Sequence, residues 1–204
     1  MEWLARAYWN VPGAEFLKSL NRSDFDVYGE AVTEGLTLIL SDSATLSEEV
    51  LRAIAVDFTT LFAGCRPDAP YPYESIFSGG ERLMMQEVRD SVLDHYEEGG
   101  YAVVQGESRE PEDHISYELG YVASLYGRAA TASARGDEDA ARAALARVAS
   151  FKAEHLGKWI PAFCLDVEKS AETPFFEGLA KVTQAVVESM CSDRRNVASM
   201  IGES

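Results

Sequence analysis

Three residues with ionisable side chains, Glu110, Asp113 and His114, occur together with Pro111 in the run Glu-Pro-Glu-Asp-His. Proline is well placed at the first position of a helix, because the amide hydrogen that it lacks would have had no partner there. An apolar stripe follows at helical spacing, and its members are Ile115, Leu119, Val122 and Tyr126. The run therefore predicts a helix that begins at Pro111, with Asp113 as a cap in its first turn and His114 at its rim.

A histidine between carboxylates has the composition of an acid–base pair or of a metal site. A small helical enzyme that uses His114 with Glu110 or Asp113 is therefore one hypothesis. However, no two of the three histidines lie four residues apart, as a zinc-binding helix would require. The sequence also lacks a phosphate-binding loop, a dinucleotide fingerprint and a nucleophile elbow. We predict no catalytic residue and no metal ligand.

The charge balance limits the classes of partner. Among 204 residues, 34 acidic side chains outnumber 18 basic ones, which gives a net charge of −16. Such acidity disfavours nucleic-acid binding, in which lysine and arginine neutralise phosphates, but it suits a basic partner. The three cysteines have no paired spacing, and no apolar run has the length of a secretory leader core or of a membrane span. We expect a cytoplasmic protein without a membrane span.

Helical periodicity extends along most of the chain. Only the run Tyr101 to Val104 is β-like, and it is short. Helix starts are indicated by capping signals at Thr45, Asp137 and Thr173. The predicted fold is all-α, a single-domain helical bundle of about eight to nine helices. We place the domain at residues 1–191 and a polar tail at 192–204.

Large apolar groups lie close to acids in two further segments. Phe58, Leu61 and Phe62 end one predicted helix, and Tyr73 and Glu74 follow in a proline-containing loop. Apolar anchors beside carboxylates suit a peptide that carries apolar residues and basic flanks. Core packing under a covering loop explains the same residues without a ligand. The residues alone leave both interpretations open.

Taken in order, these segments resemble the motifs of the TorD/DmsD family of redox-enzyme maturation chaperones. Five matches carry the resemblance: an aromatic-x-x-Leu-Phe motif at 58–62, Pro-Tyr-Glu-Ser at 72–75, Glu-Arg-Leu-Met at 81–84, Glu-Pro-x-Asp-His at 110–114 and a Phe…His-Leu…Trp-x-Pro-x-Phe run at 151–163. Each motif is short, but their common order is specific. The likeness covers roughly residues 50 to 190.

The resemblance implies an all-helical, TorD-like cytoplasmic chaperone that catalyses no reaction. It would bind the twin-arginine signal peptide and the apo catalytic subunit of a molybdenum oxidoreductase, and delay export until the cofactor is inserted. The implied peptide-binding residues form an apolar trough with acidic and polar neighbours: Phe58, Leu61, Phe62, Tyr73, Glu74, Glu110, Pro111, Asp113 and His114. His114 would orient Asp113 or donate to a peptide carbonyl. Asp113 would either hold an arginine or only cap its own helix.

Cofactor, assembly and client follow less directly from the resemblance. Some members of that family bind guanine nucleotide, but this sequence has no phosphate loop, so we predict no cofactor. A monomer is expected. A dimer is the alternative, because helices could exchange between protomers at the loop-rich segment 99–110. The client is left open among dimethyl sulfoxide, trimethylamine oxide, nitrate, selenate and polysulfide reductases.

Overall fold

The computed structural model describes residues 1–43, 46–64, 66–78, 87–104 and 110–190 of the chain. Within these ranges the regular structure is helical, and the all-α prediction is confirmed. The α-helices are α1 (Glu2–Ala7), α2 (Ala14–Lys18), α3 (Thr33–Ser43), α4 (Glu48–Phe62), α5 (Glu74–Ser78), α6 (Glu87–Glu98), α7 (Ile115–Ala134), α8 (Glu138–Phe151), α9 (Gly157–Ser170) and α10 (Pro174–Ser189). A 3₁₀ segment at Arg22–Val32 and a π-helical segment at Lys152–Leu156 complete the helical structure of the described ranges.

Capping residues explain where several helices begin. The Ser47 side chain accepts a hydrogen bond of 3.2 Å from an amide in the first turn of α4, whereas the predicted cap Thr45 lies outside the described residues. Asp137 accepts a bond of 3.0 Å at the start of α8, as predicted. Helix α10 begins at Pro174 directly after Thr173, also as predicted. The side-chain oxygens of Ser47 and Asp137 satisfy amides that have no partner within the first turn.

Other expectations had different outcomes. The β-like run Tyr101 to Val104 is irregular in structure and forms no strand. The predicted helix start at Glu81 and the predicted tail 192–204 lie outside the described residues. The boundary between domain and tail therefore stays a prediction.

Packing divides the chain into two compact units. Unit 1 comprises Met1–Ala5, Tyr73–Trp159 and Val187–Ser204, the last of which is described to residue 190. Unit 2 comprises Arg6–Pro72 and Ile160–Val186. Because each unit is assembled from segments distant in sequence, the chain does not separate into two consecutive domains.

The core of unit 1 is built around the packing of α7 on α8. The ring of Tyr121 on α7 lies 5.0 Å from that of Tyr96 and 4.9 Å from that of Phe151. All three side chains are buried. Towards the other end of the two helices, Ala129 and Leu145 pack in a smaller apolar cluster.

The core of unit 2 is an aromatic cluster centred on Phe62. Its ring lies 5.7 Å from Tyr8, 6.2 Å from Phe163 and 5.5 Å from Phe176. Nearby, α3 and α10 touch through two glycines: a Cβ built on Gly178 would stand 2.5 Å from the carbonyl oxygen of Gly35. No larger residue fits there without moving one of the helices.

Candidate functional site

The segment Glu110–His114 is held in unit 1 by Tyr73, the residue just before α5. Tyr73 and His114 form an isolated antiparallel backbone bridge. Their rings meet edge to face, with centroids 5.1 Å apart. The Tyr73 hydroxyl donates to the Glu110 carboxylate, and burial together with this hydrogen bond raises the pKa of Tyr73. Two motifs that are distant in sequence are thus brought together in unit 1.

The helix after this segment begins later than predicted. Pro111 is buried and lies outside α7, which starts at Ile115. The His114 amide donates to the Pro111 carbonyl at 3.1 Å, which closes a turn before the helix. The placement of Pro111 at the first helical position is therefore wrong. The turn commits the His114 amide to the carbonyl three residues earlier, whereas an α-helix would use the carbonyl four residues earlier. The α-helix therefore begins after the turn.

His114 is the N-cap of α7. Its Nδ1 atom accepts a hydrogen bond of 3.1 Å from the Ser116 amide, and the side chain is buried. Burial lowers the pKa of His114 from 6.5 to about 4, although the Glu110 carboxylate acts in the opposite direction. At neutral pH the imidazole is therefore neutral, and its Nδ1 lone pair is committed to the helix start.

Asp113 does not cap its own helix. Its Oδ2 atom accepts a hydrogen bond of 2.9 Å from the Ser75 amide, and its backbone carbonyl accepts one of 3.0 Å from the Glu74 amide. Asp113 is fully buried and holds the beginning of α5. The prediction that it caps the helix following it is wrong, because His114 occupies that role. The other prediction, that Asp113 holds an arginine of a bound peptide, stays a prediction.

Glu74 is fully buried and does not present a charge to solvent. The His155 Nδ1 atom lies 2.8 Å from Glu74 Oε2. In the same unit, the Trp159 indole donates to Glu118 Oε2 at 3.0 Å. His155, Glu118 and Trp159 are also buried. Of these residues, our sequence analysis selected only Glu74 for the site.

One signal in the sequence could have identified Glu118. It stands three residues after Ile115 and four before Val122, so it shares the buried face of α7. An acid at a core position of an amphipathic helix is rarely buried without a dedicated partner. For the pairing of Glu74 with His155, which are 81 positions apart, the sequence contains no comparable signal.

The carboxylates with accessible surface in this segment are Glu110 and Glu112. Glu110 is half-buried beside the Tyr73 hydroxyl. Glu112 accepts a hydrogen bond of 2.6 Å from the Arg89 guanidinium, so its charge is already matched.

The predicted apolar anchors belong to unit 2. Leu61 is fully buried and Phe62 lies in the aromatic cluster, whereas Phe58 is half-buried. The Phe58 ring lies 5.4 Å from Phe62 and 6.1 Å from Phe176. All three side chains pack in the core of their unit, and Phe58 retains exposed surface.

A further buried acid, Asp57, lies on α4, the helix that carries Phe58. Its Oδ2 atom accepts bonds from the Glu172 amide (3.0 Å), the Thr173 amide (2.8 Å) and the Thr173 hydroxyl (2.7 Å). Asp57 thereby fixes the start of α10 against α4 in unit 2. It was not among the predicted site residues, and its role is structural.

The described ranges contain neither a metal-ligand cluster nor a membrane-spanning helix. In these ranges no three His, Cys, Asp or Glu side chains are arranged to hold a metal ion. Nor does any helix of the described residues have the length and apolar character needed to cross a membrane.

Comparison with known proteins assigns the class. The family model described as "Nitrate reductase delta subunit" matches residues 27–165. A chaperone protein TorD from Vibrio cholerae serotype O1 (strain ATCC 39541 / Classical Ogawa 395 / O395) is 29% identical over 180 residues, covering 78% of this chain and 77% of the relative. A chaperone protein TorD from Photobacterium profundum is 29% identical over 129 residues, covering 63% of this chain and 58% of the relative.

The chain is therefore an all-α chaperone of the kind that assists redox-enzyme maturation. It belongs to the nitrate reductase delta subunit family, which includes the TorD-like proteins. The resemblance predicted from the motifs is confirmed, and so is the prediction that the protein is not an enzyme. The alternative of an enzyme built on His114 is not favoured, since the family consists of chaperones and His114 serves as a helix cap.

Proposed function

We propose that this protein binds the twin-arginine signal peptide and the apo catalytic subunit of a molybdenum oxidoreductase in the cytoplasm, and that it delays export until the subunit is loaded and folded. The relatives named chaperone protein TorD support this role. A net charge of −16 also favours encounter with a leader whose N-terminal region is basic.

The observation that carries the proposal is the position of Glu110. Its carboxylate is half-buried and accepts a hydrogen bond from the Tyr73 hydroxyl, and Glu110 directly precedes the turn that His114 closes. A carboxylate on a rigid frame can accept two parallel bonds from an arginine guanidinium. Restricting its motion before binding reduces the entropy lost when the peptide docks.

The remaining residues of the proposed peptide site divide by burial. Glu74, Pro111, Asp113 and His114 are buried and would shape the acidic part of the site from beneath. Tyr73 is nearly buried and would present the edge of its ring. In unit 2, Phe58 has surface to offer an apolar leader segment, and Leu61 and Phe62 would support it from the core.

Calorimetric titration with a synthetic twin-arginine leader tests the role of Glu110. Glu110→Gln keeps the shape and removes the charge, so we expect the leader to bind about tenfold more weakly. A leader with lysines in place of both arginines should bind the parent more weakly as well, because an ammonium cannot make the bidentate contact.

The matched control is Glu97→Gln, which makes the same charge change at an exposed position of α6. If both variants lose affinity equally, the effect is one of net charge and Glu110 is not part of the site. If the parent binds neither leader, the proposed function is wrong.

We further propose that the protein works as a monomer without a bound cofactor, with a dimer as the alternative. The sequence has no phosphate-binding loop, which supports the proposal that guanine nucleotide is not bound. Sedimentation equilibrium, together with nucleotide and metal analysis of the purified protein, tests both statements. Stoichiometric nucleotide or metal would contradict the absence of a cofactor, and a sedimentation mass of two chains would favour the dimer.

A further inference from the structure

Four buried side chains in unit 1 form a chain of polar contacts: Trp159, Glu118, Glu74 and His155. The Trp159 indole donates to Glu118 Oε2 at 3.0 Å, and His155 Nδ1 lies 2.8 Å from Glu74 Oε2. The Glu118 and Glu74 carboxyl groups are within hydrogen-bonding reach of each other. None of the four residues is more than 1% exposed.

The second oxygens of the two carboxyl groups determine the chemistry of this network. Glu118 Oε1 and Glu74 Oε1 are both buried, and neither has a donor among the described residues. Two ionised carboxylates in contact would repel each other and leave two desolvated acceptors unpaired. One proton placed between them removes the repulsion and gives both oxygens a partner.

The network is connected to the candidate site through the start of α5. Glu74 directly follows Tyr73, whose hydroxyl holds Glu110. The next residue, Ser75, donates its amide to Asp113 at 2.9 Å. A displacement of the Glu74 side chain would therefore move the backbone that orients both Tyr73 and the segment before α7.

We propose that Glu118 is a positioning residue of the peptide site: it keeps a proton at neutral pH, donates it to Glu74, and so holds the start of α5 where Tyr73 can orient Glu110. The part of this inference that concerns the leader rests on the proposed function. Glu118 itself touches no peptide, because its side chain is fully buried.

The electrostatic surroundings support a proton on Glu118. Its pKa is raised well above the usual value of 4.5, first by burial and next by the neighbouring Glu74 carboxylate, while the hydrogen bond from Trp159 acts in the opposite direction. Asp113, before α7, raises it further. On α6 the Tyr96 phenol faces the same group, and the Glu118 charge contributes to the raised pKa of Tyr96. On the π-helical segment, His155 faces Glu74.

The first test is the thermal stability of Glu118→Gln as a function of pH. Glutamine reproduces the protonated acid, since its carbonyl can accept from Trp159 and its amide can donate to Glu74. Because the folded-state pKa of Glu118 lies above the unfolded value, the stabilisation from Glu118 is complete below about pH 4.5 and is lost as the pH rises. The Tm of Glu118→Gln should therefore rise relative to that of the parent between pH 5 and pH 8.

A Tm difference that stays constant over this range would overturn the assignment of the proton. Glu97→Gln, at an exposed site on α6, supplies the matched change of charge.

The second test is leader binding at pH 7.5, at a temperature where circular dichroism shows each variant to be folded. Glu118→Ala should weaken binding on the order of tenfold, whereas Glu118→Gln should retain the parent affinity. Trp159→Phe removes the indole donor but keeps an aromatic ring against Phe77, so it tests the same chain if Glu118→Ala does not fold. We expect it to weaken binding as well.

Folded Glu118→Ala and Trp159→Phe variants that bind the leader as tightly as the parent would overturn the positioning role. A parent that binds no leader would overturn the proposed function and the positioning role with it. The pH series would still decide whether Glu118 carries the shared proton.

Discussion

The Asp113 carboxylate accepts a hydrogen bond of 2.9 Å from the backbone amide of Ser75, 38 residues earlier in the chain. An acid that looks like the cap of the helix following it is instead the cap of a different helix. Because Asp113 is fully buried, the bond forms away from water, where an unpaired amide is most costly.

Asp113→Ala should therefore reduce the free energy of unfolding by about 2 kcal/mol. The reference variant is Asp137→Ala, which removes the exposed cap of α8 and should cost about 1 kcal/mol. Urea unfolding measures both. A loss for Asp113→Ala that does not exceed the loss for Asp137→Ala would contradict the buried-cap assignment. If folded Asp113→Ala also keeps its affinity for the leader, the role of Asp113 is structural alone.

Acid should destabilise the protein through His114. Its folded-state pKa of about 4 lies below the usual value of 6.5, so the unfolded chain takes up a proton first as the pH falls. The stability that neutral His114 provides is complete above about pH 6.5 and lost by about pH 4, and the difference amounts to about 3 kcal/mol. Protonation of Nδ1 would also remove the acceptor for the Ser116 amide.

His114→Asn isolates this effect. Asparagine is a preferred N-cap whose side-chain oxygen can accept from the same amide, and it does not titrate. Between pH 6.5 and pH 5, the Tm of His114→Asn should fall less than that of the parent. Parallel pH profiles for the two proteins would count against the assignment.

In unit 2, the start of α10 should depend on Asp57. Thr173→Val removes the hydroxyl that donates at 2.7 Å and leaves two amide donors to Asp57, so we expect a loss of about 1 kcal/mol. Asp57→Ala removes the acceptor for all three donors and should cost about 3 kcal/mol. Thr131→Val, at an exposed threonine on α7, should be nearly neutral. Equal losses for Thr173→Val and Thr131→Val would contradict the stabilising hydrogen bond between Thr173 and Asp57.

Two glycines should respond to alanine with opposite signs. A Cβ on Gly178 would stand 2.5 Å from the carbonyl oxygen of Gly35 on the facing helix, so Gly178→Ala should destabilise by about 2 kcal/mol. Gly127 lies within α7 with open space around its Cβ position, and Gly127→Ala should stabilise by about 1 kcal/mol through helix propensity. Thermal melts of the pair test whether α3 and α10 require their close approach.

The sequence by itself determined the class of fold and the family. Apolar spacing of three and four residues predicted most of the helices, and short-range capping signals located the starts of α8 and α10. These features are local, since a helix is specified by contacts within one or two turns. The ordered motifs identified the family because they record residue types, for which no coordinates are needed.

Tertiary structure decided which partner each functional side chain has. Asp113 could be a cap for α7 or a ligand for arginine as long as only neighbours in sequence were considered, but folding brought Ser75 to it instead. The buried network likewise depends on distant contacts. His155 lies 81 positions after Glu74, and Trp159 lies 41 positions after Glu118. A carboxylate binds whichever donor the fold places beside it, and burial sets its charge, so neither property is encoded in the spacing along one helix.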